Sequence, residues 1–370
     1  MRSSRMLMGT IFLNNAFTKS LLVLMTILAI TFSIGMCGSA FAQEDNDQPT
    51  VSSLFARLKQ TDQQKKSSLS SVKKIHDHPL YLMEYHGDYD SEKPLLSQLE
   101  KQSDIQWGCS LFFATGDKEK PLYGRNFDWQ YNPALLLFTN PSDGYASVSM
   151  VDISYLGYAR KDKKFDTVEG RQNLLMAPLI PFDGMNEHGL TVGMAAVPNA
   201  RVPADEKKET VGGLQIIRIM LDKAKTVDEA LELIKKHNVR FSGGPQIHYL
   251  IADAGGNSAV VEMKNEKINI IRGEKDFHSA TNFHLTDNEG KGPKLCRRYA
   301  QIQTEMKNKA GKLDVDQAFK LLKNVSQVTT RWSVVYDLKG KTANIAMSRN
   351  YSKPLKYEVR DLEDEKKTSK

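Results

Sequence analysis

The stretch Gly108-Cys109-Ser110-Leu111-Phe112-Phe113 constrains this chain more than any other. Ser110–Thr115 and Pro121–Phe127 are apolar runs that bracket Gly116-Asp117-Lys118-Glu119-Lys120, a polar turn containing Gly and Asp. Two such runs around such a turn predict a β-hairpin. Cys109 then opens the first strand, and Arg125 and Asp128 close the second, which the turn folds back towards it. A thiol, a guanidinium and a carboxylate converge with no long-range assumption. Taken alone, the hairpin favours Cys109 as a small buried hydrophobe packed beside Leu111 and Phe113 over a catalyst.

The Gly108–Cys109 bond adds a specific chemistry. A thiol is a strong nucleophile only when deprotonated. A free α-amine titrates near ~8, so an N-terminal cysteine supplies its own base. Before cleavage the amine is locked in the peptide bond. The thiol would attack the Gly108 carbonyl, shift the acyl group from nitrogen to sulfur, and leave water to release it. Glycine suits that step because it tolerates strained backbone and shields nothing.

The chain's 370 residues are long enough for one large domain or two ordinary ones, and 40% hydrophobic content allows a sizeable core. Charged residues make up 26% and the net charge is +7, of which Arg2, Arg5 and Lys19 supply three. That balance is too mild and dispersed for nucleic-acid binding. Those three residues precede the uncharged run Leu21–Met36, and Ala40-Phe41-Ala42 follows as a small-x-small cleavage pattern. Residues 1–42 therefore read as a signal peptide of an exported, secreted or envelope protein. The alternative is a retained N-terminal anchor, the one route to a membrane. Met36 before Cys37 fits a lipoprotein signal poorly. Cys109 and Cys296 remain after the leader. They allow one disulfide or two free thiols, but no disulfide framework.

Residues 43–108 form a candidate propeptide. Val51–Ser71 reads as a weak amphipathic helix. His78–Tyr89, broken at Pro79 and Gly87, reads as a strand running into a turn. His76 and His78 lack further ligands nearby, so no metal site is expected. Beyond the hairpin, Ala146–Ile153 alternates as a strand, and Phe138, Tyr155 and Tyr158 are candidate lining for an apolar mouth. Val211–Ala224 and a helix capped by Thr226 predict a helix pair. His248–Asp253, Ser258–Met263, Ile268–Arg272 and Phe277–Thr281 predict an antiparallel meander. Lys294–Lys309 and Asp314–Lys323 read as helices, and Arg331–Leu338 with Thr342–Met347 as a closing hairpin. The tail, 358–370, is charged.

Gly108-Cys109-Ser110-x-Phe112, Gly124-Arg125-Asn126-x-Asp128-Trp129, the turn Asp183-Gly184-Met185-Asn186-Glu187-His188-Gly189-Leu190, Thr281-Asn282 and Arg331–Asp337 occur in an order that resembles the choloylglycine hydrolase and penicillin V acylase superfamily. The likeness spans roughly residues 78–348 and is nearest the branch of acyl-CoA:6-aminopenicillanate acyltransferase and linear amide C–N hydrolases. It implies an α+β fold, a four-layer αββα sandwich of two antiparallel sheets. Paired helices, many short strands and no βαβ rhythm agree with that. The hydrolase domain is expected over 109–357.

By position, the resemblance implies Cys109 as nucleophile, Arg125 and Asp128 as its polar neighbours, and the Asn282 amide as oxyanion donor. Arg298 is a looser match, expected to bind substrate. Asn186 and Glu187 are expected to support their turn. The family commonly carries an asparagine where this chain has Ala196, which leaves only its backbone N–H for the oxyanion. No cofactor or metal is implied. The expected partner is a small N-acyl amide, and oligomeric state is not fixed. Besides a self-processed zymogen hydrolase, three alternatives stand: an acyltransferase on the same scaffold, a papain-like peptidase pairing Cys109 with His278 or His284, and a non-catalytic envelope binding protein.

Overall fold

The structure, a computed structural model, describes residues 57–93, 108–159, 161–241, 245–273 and 276–359. The leader, Trp107 and the tail beyond Val359 lie outside these. In chain order the first strands are β1 (Lys73–His76), β2 (Leu80–Tyr85), β3 (Gly108–Ala114), β4 (Leu122–Asp128), β5 (Ala134–Thr139), β6 (Ser147–Asp152), β7 (Asp183–Asn186) and β8 (Thr191–Ala196). They are followed by β9 (Ile247–Ala252), β10 (Ser258–Lys264), β11 (Lys267–Arg272), β12 (Phe277–Ala280), β13 (Thr330–Asp337), β14 (Thr342–Met347) and β15 (Leu355–Glu358). A nine-stranded sheet runs β11-β10-β9-β8-β7-β6-β5-β2-β1, and a six-stranded sheet runs β12-β3-β4-β13-β14-β15.

The sheets face each other through β8 and β9 against β3, and β10 against β12. Helix α1 (Asp62–Ser70) packs on β2, helices α2 (Gln215–Lys223) and α3 (Val227–Lys236) cover the large sheet, and α4 (Arg297–Asn308) and α5 (Val315–Asn324) cover the small one. This is an αββα arrangement. The caps are local: Thr226 accepts from Glu229 N at 3.3 Å, and Asp314 and Gln317 form a capping box for α5.

Strand alternation decides which way β3 points its side chains. Cys109, Leu111 and Phe113 enter the core between the sheets, whereas Phe112 and Ala114 pack with Ile302, Met306, Phe319 and Leu322 under α4 and α5. The nucleophile candidate therefore lies inside the sandwich.

Two expectations need correction. Phe277–Ala280 does not complete the meander; it leaves β11 and pairs with β3 in the other sheet, Ala280 opposite Leu111. That crossing brings Asn282 to Cys109. The large sheet also contains β1 and β2, from within the segment read as a candidate propeptide. β2 pairs parallel with β5, so the sheet is not wholly antiparallel. Met83, Tyr85 and Tyr89 are buried with Leu135, Leu137 and Val151. Tyr89 donates to Asp222 Oδ1 at 2.9 Å, and Gln215 Nε2 donates to the Ser91 and Lys93 carbonyls, both at 2.7 Å.

Candidate active site

Cys109 pairs in register with Phe127, and Gly108 with Asp128. Cys109 is fully buried, and Arg125 Nη2 points at its Sγ from 3.9 Å. The guanidinium is held from behind. Its Nη1 donates to the Asp183 carboxylate and to the Phe182 carbonyl (2.7 Å). Asp183 also accepts from Trp332 Nε1 at 3.1 Å and from the Tyr336 hydroxyl at 2.5 Å. Phe127 and Trp332 stack at 3.9 Å, with the guanidinium 5.1 Å from the Phe127 ring. Burial pushes the thiol's pKa up and the Asp128 charge adds to this, against the pull of Arg125 and Arg298. With its nitrogen still acylated, the thiol has no base beside it and stays protonated.

The backbone of Cys109 meets different partners. Its N–H donates to Asn282 Oδ1 at 2.7 Å, and Asn282 Nδ2 donates to the Ala196 carbonyl at 2.9 Å. Arg298 reaches the same atoms from α4: Nη2 donates to Asn282 Oδ1 and Nη1 to Ser110 Oγ, both at 2.9 Å, and Nη1 also to the Cys109 carbonyl. Arg298, expected to bind substrate, thus clamps the backbone of Cys109 and the Asn282 side chain. Val197 N donates to Gln246 O at 2.8 Å, so Ala196, one residue earlier, turns its N–H and carbonyl away from β9.

Asp128 leaves the strand on the opposite face from the thiol. It accepts from Gln327 Nε2 (2.6 Å) and Thr330 Oγ1 (2.5 Å), with Arg298 at 3.9 Å. Burial raises its pKa, and those partners pull it back only in part. The carboxylate adjoins Gly108: a Cβ there would stand 3.1 Å from Asp128 Oδ2 and 2.2 Å from Gln327 Nε2. Packing as well as backbone freedom therefore calls for glycine before Cys109.

The turn residues act as supports. Asn186 Nδ2 donates to the carbonyls of Leu221 (2.9 Å) and Ala224 (2.7 Å), while its Oδ1 accepts from His188 N and Leu190 N, each at 3.1 Å. Glu187 accepts from Ala146 N at 3.1 Å. Gly189, at φ +80°, closes that turn, where a side chain would be strained.

The remaining candidates lie elsewhere. His278 pairs with Phe113, about 13 Å along β3 from Cys109 at ~3.3 Å per residue. Its Nδ1 bonds Ser258 Oγ at 3.1 Å, and burial pushes its pKa down to about 4. His284 Nε2 bonds the Pro198 carbonyl at 2.7 Å. Neither histidine forms a dyad with the thiol. Phe138 is buried and packs on Tyr357 of β15, four strands from β3 in the small sheet. Tyr158 is buried, its hydroxyl on the Gly170 carbonyl at 3.0 Å. Tyr155 packs edge-on against Phe182 at 5.3 Å, and so belongs to the aromatic wall behind Arg125. Cys109 and Cys296 are both free thiols. Among the described residues, no three His, Cys, Asp or Glu side chains gather to hold a metal. No helix among them is long and apolar enough to cross a membrane.

Sequence reasoning missed Asp183, Gln327 and Thr330. Asp183 stood in a quoted motif without a role, and nothing local announced the other two.

Residues 178–360 match a family described as acyl-coenzyme A:6-aminopenicillanic acid acyl-transferase. Two structures of conjugated bile acid hydrolase variants from Clostridium perfringens are 16% identical, each covering 68% of this chain and 92% of theirs, with TM-scores of 0.52 and 0.51. Penicillin V acylase from Agrobacterium tumefaciens is 17% identical over 67% of this chain and 84% of its own, with a TM-score of 0.47. The fold is that of the N-terminal nucleophile hydrolases. The family match over residues 178–360 and the shared fold make the chain similar to the choloylglycine hydrolase and penicillin V acylase superfamily.

Proposed function

We propose that this protein is an exported amidohydrolase that cuts its own Gly108–Cys109 bond and then cleaves a linear C–N amide of an N-acyl substrate through a thioester at Cys109. The observation that carries the reading is the division of labour around one residue. Arg125 addresses the sulfur, Asn282 and Arg298 address the backbone nitrogen and its surroundings, and neither His278 nor His284 pairs with the thiol. A nucleophile so arranged takes its base from its own α-amine.

In self-cleavage, Sγ adds to the Gly108 carbonyl and the C–N bond to Cys109 breaks, with the thiol proton passing to that nitrogen. Water then hydrolyses the thioester, leaving a carboxylate on Gly108 and a free amine on Cys109. Asn282 Oδ1 remains an acceptor for that amine, and Asp128 lies beside it. In turnover the amine takes the thiol proton and Sγ adds to the substrate carbonyl. Asn282 Nδ2 and the Ala196 N–H stabilise the oxyanion. The proton returns to the leaving amine and water releases the acid. The contacts of residues 57–93 favour their retention as a second chain after the cut.

The family description favours a second reading, in which an acceptor amine replaces water in the last step. Both are tested with a panel of fluorogenic N-acyl aminocoumarin amides, with and without hydroxylamine. A hydrolase releases free acid and coumarin, a transferase gives mostly hydroxamate, and Cys109→Ala gives neither. Turnover by Cys109→Ala at the wild-type rate would sink the proposal.

A further inference from the structure

His248, Glu262 and His284 form a buried cluster outside the thiol's surroundings. Glu262 on β10 is fully buried. Its carboxylate accepts from His248 Nδ1 (3.2 Å), Leu285 N (2.6 Å), Thr286 N (3.0 Å) and Thr286 Oγ1 (2.6 Å), with His284 Nδ1 at 3.5 Å. The far nitrogen of each ring bonds a carbonyl: His248 Nε2 to Thr281 O at 2.8 Å, and His284 Nε2 to Pro198 O at 2.7 Å. Carbonyls only accept, so both Nε2 atoms carry protons. The His248 ring is held at both nitrogens, between the Glu262 carboxylate and the Thr281 carbonyl, which fixes its orientation.

The carbonyls held in this way have one thing in common. Thr281 immediately precedes Asn282, and Pro198 lies two residues after Ala196. Leu285 and Thr286 close the same loop from its other end. We infer that Glu262, through His248 and His284, is a positioning centre that sets the Asn282 amide and the Ala196–Pro198 strand end at the spacing an oxyanion requires. It touches no reacting atom. The inference rests on the amidohydrolase reading above, because only that reading gives the two strand ends a shared task.

The test uses the full mature protein and a fluorogenic N-acyl aminocoumarin amide. Glu262→Gln keeps size but turns an acceptor into a donor facing donors. It is expected to lower kcat at least about tenfold with KM within about twofold, as expected when an oxyanion donor is misplaced. His284→Gln keeps a donor for the Pro198 carbonyl and is expected to stay within about threefold of wild type, while His284→Leu loses about as much as Glu262→Gln. If Glu262→Gln does not fold, Thr286→Val removes a single donor and is expected to give a smaller loss in kcat. Hydrogen exchange of Asn282–Thr286 is read on the same proteins whether or not they turn over. Faster exchange together with the kcat loss supports the inference. Unchanged exchange, unchanged kcat in Glu262→Gln, or equal losses in both His284 variants overturns it. A wild-type protein that is uncut and inert on every amide overturns the amidohydrolase reading instead.

Discussion

The two sides of Cys109 differ in kind. On the sulfur side everything is buried: Arg125 is clamped between Asp183 and the Phe127–Trp332 stack, and Asp183 takes further bonds from Trp332 and Tyr336. On the nitrogen side the partners are mixed: the amides of Asn282 and Gln327, the Thr330 hydroxyl, the Asp128 carboxylate and a partly buried Arg298. The first arrangement fixes a charge against a thiol in a dry core, where electrostatic effects are strong. The second surrounds the bond that the proposed self-cleavage would break and the nitrogen it would turn from amide to amine. In that proposal rigid electrostatics serve the sulfur and adaptable hydrogen bonds serve the bond that is cut.

The comparison breaks most severely at Asp183. Asp183→Ala leaves Arg125 buried without its counter-charge, which costs about 3–5 kcal/mol. A large drop in melting temperature is expected, read by thermal denaturation of Cys109→Ala with and without the second change. A normal melting temperature would show that Arg125 finds another partner. Next in size is Asn282→Leu on the nitrogen side. It is expected to lower kcat by roughly 10²–10³ through loss of the oxyanion donor, while folding is kept. A loss confined to KM would remove Asn282 from the transition state.

These two residues also show what the sequence could and could not reveal. The hairpin of β3 and β4, the Thr226 and Asp314 caps and the Asn186 turn depend on neighbours a few residues away, so local pattern carries them. Spacing and resemblance single out Cys109, Arg125, Asp128 and Asn282, which the structure brings together. They do not single out the partner of Arg125, because Asp183 lies 58 residues on and meets it across the sandwich. The crossing of β12 between sheets was also invisible, since a strand entering a second sheet alternates like one continuing the first. Residues 78–89 read as strand and turn, but nothing local foretells that Met83, Tyr85 and Tyr89 are buried with Leu135, Leu137 and Val151.

A milder change sharpens the nitrogen side. Gly108→Val puts a side chain into Gln327 and disturbs its bond to Asp128, at about 1 kcal/mol for the hydrogen bond. Self-cleavage is expected to slow several-fold by gel analysis, and Gln327→Ala in the same chain to recover part of the rate. No recovery would mean that glycine serves backbone freedom alone. The smallest effect concerns pH. Burial raises the Asp128 pKa above its unfolded value, so the folded protein holds that proton longer. The stability this proton confers is thus expected to be fully present below the ordinary carboxylate pKa and to be lost as pH rises through the raised one. Asp128→Asn should flatten that part of the stability–pH curve, measured by urea denaturation; an unchanged slope would assign it to other groups.

The central claim is that Cys109 becomes a chain terminus. Intact mass and N-terminal sequencing of the purified protein test it most directly. The expected result is a chain beginning at Cys109, copurifying with the piece that ends at Gly108, and a single uncut chain for Cys109→Ala. An active wild-type protein with Gly108–Cys109 intact would contradict it.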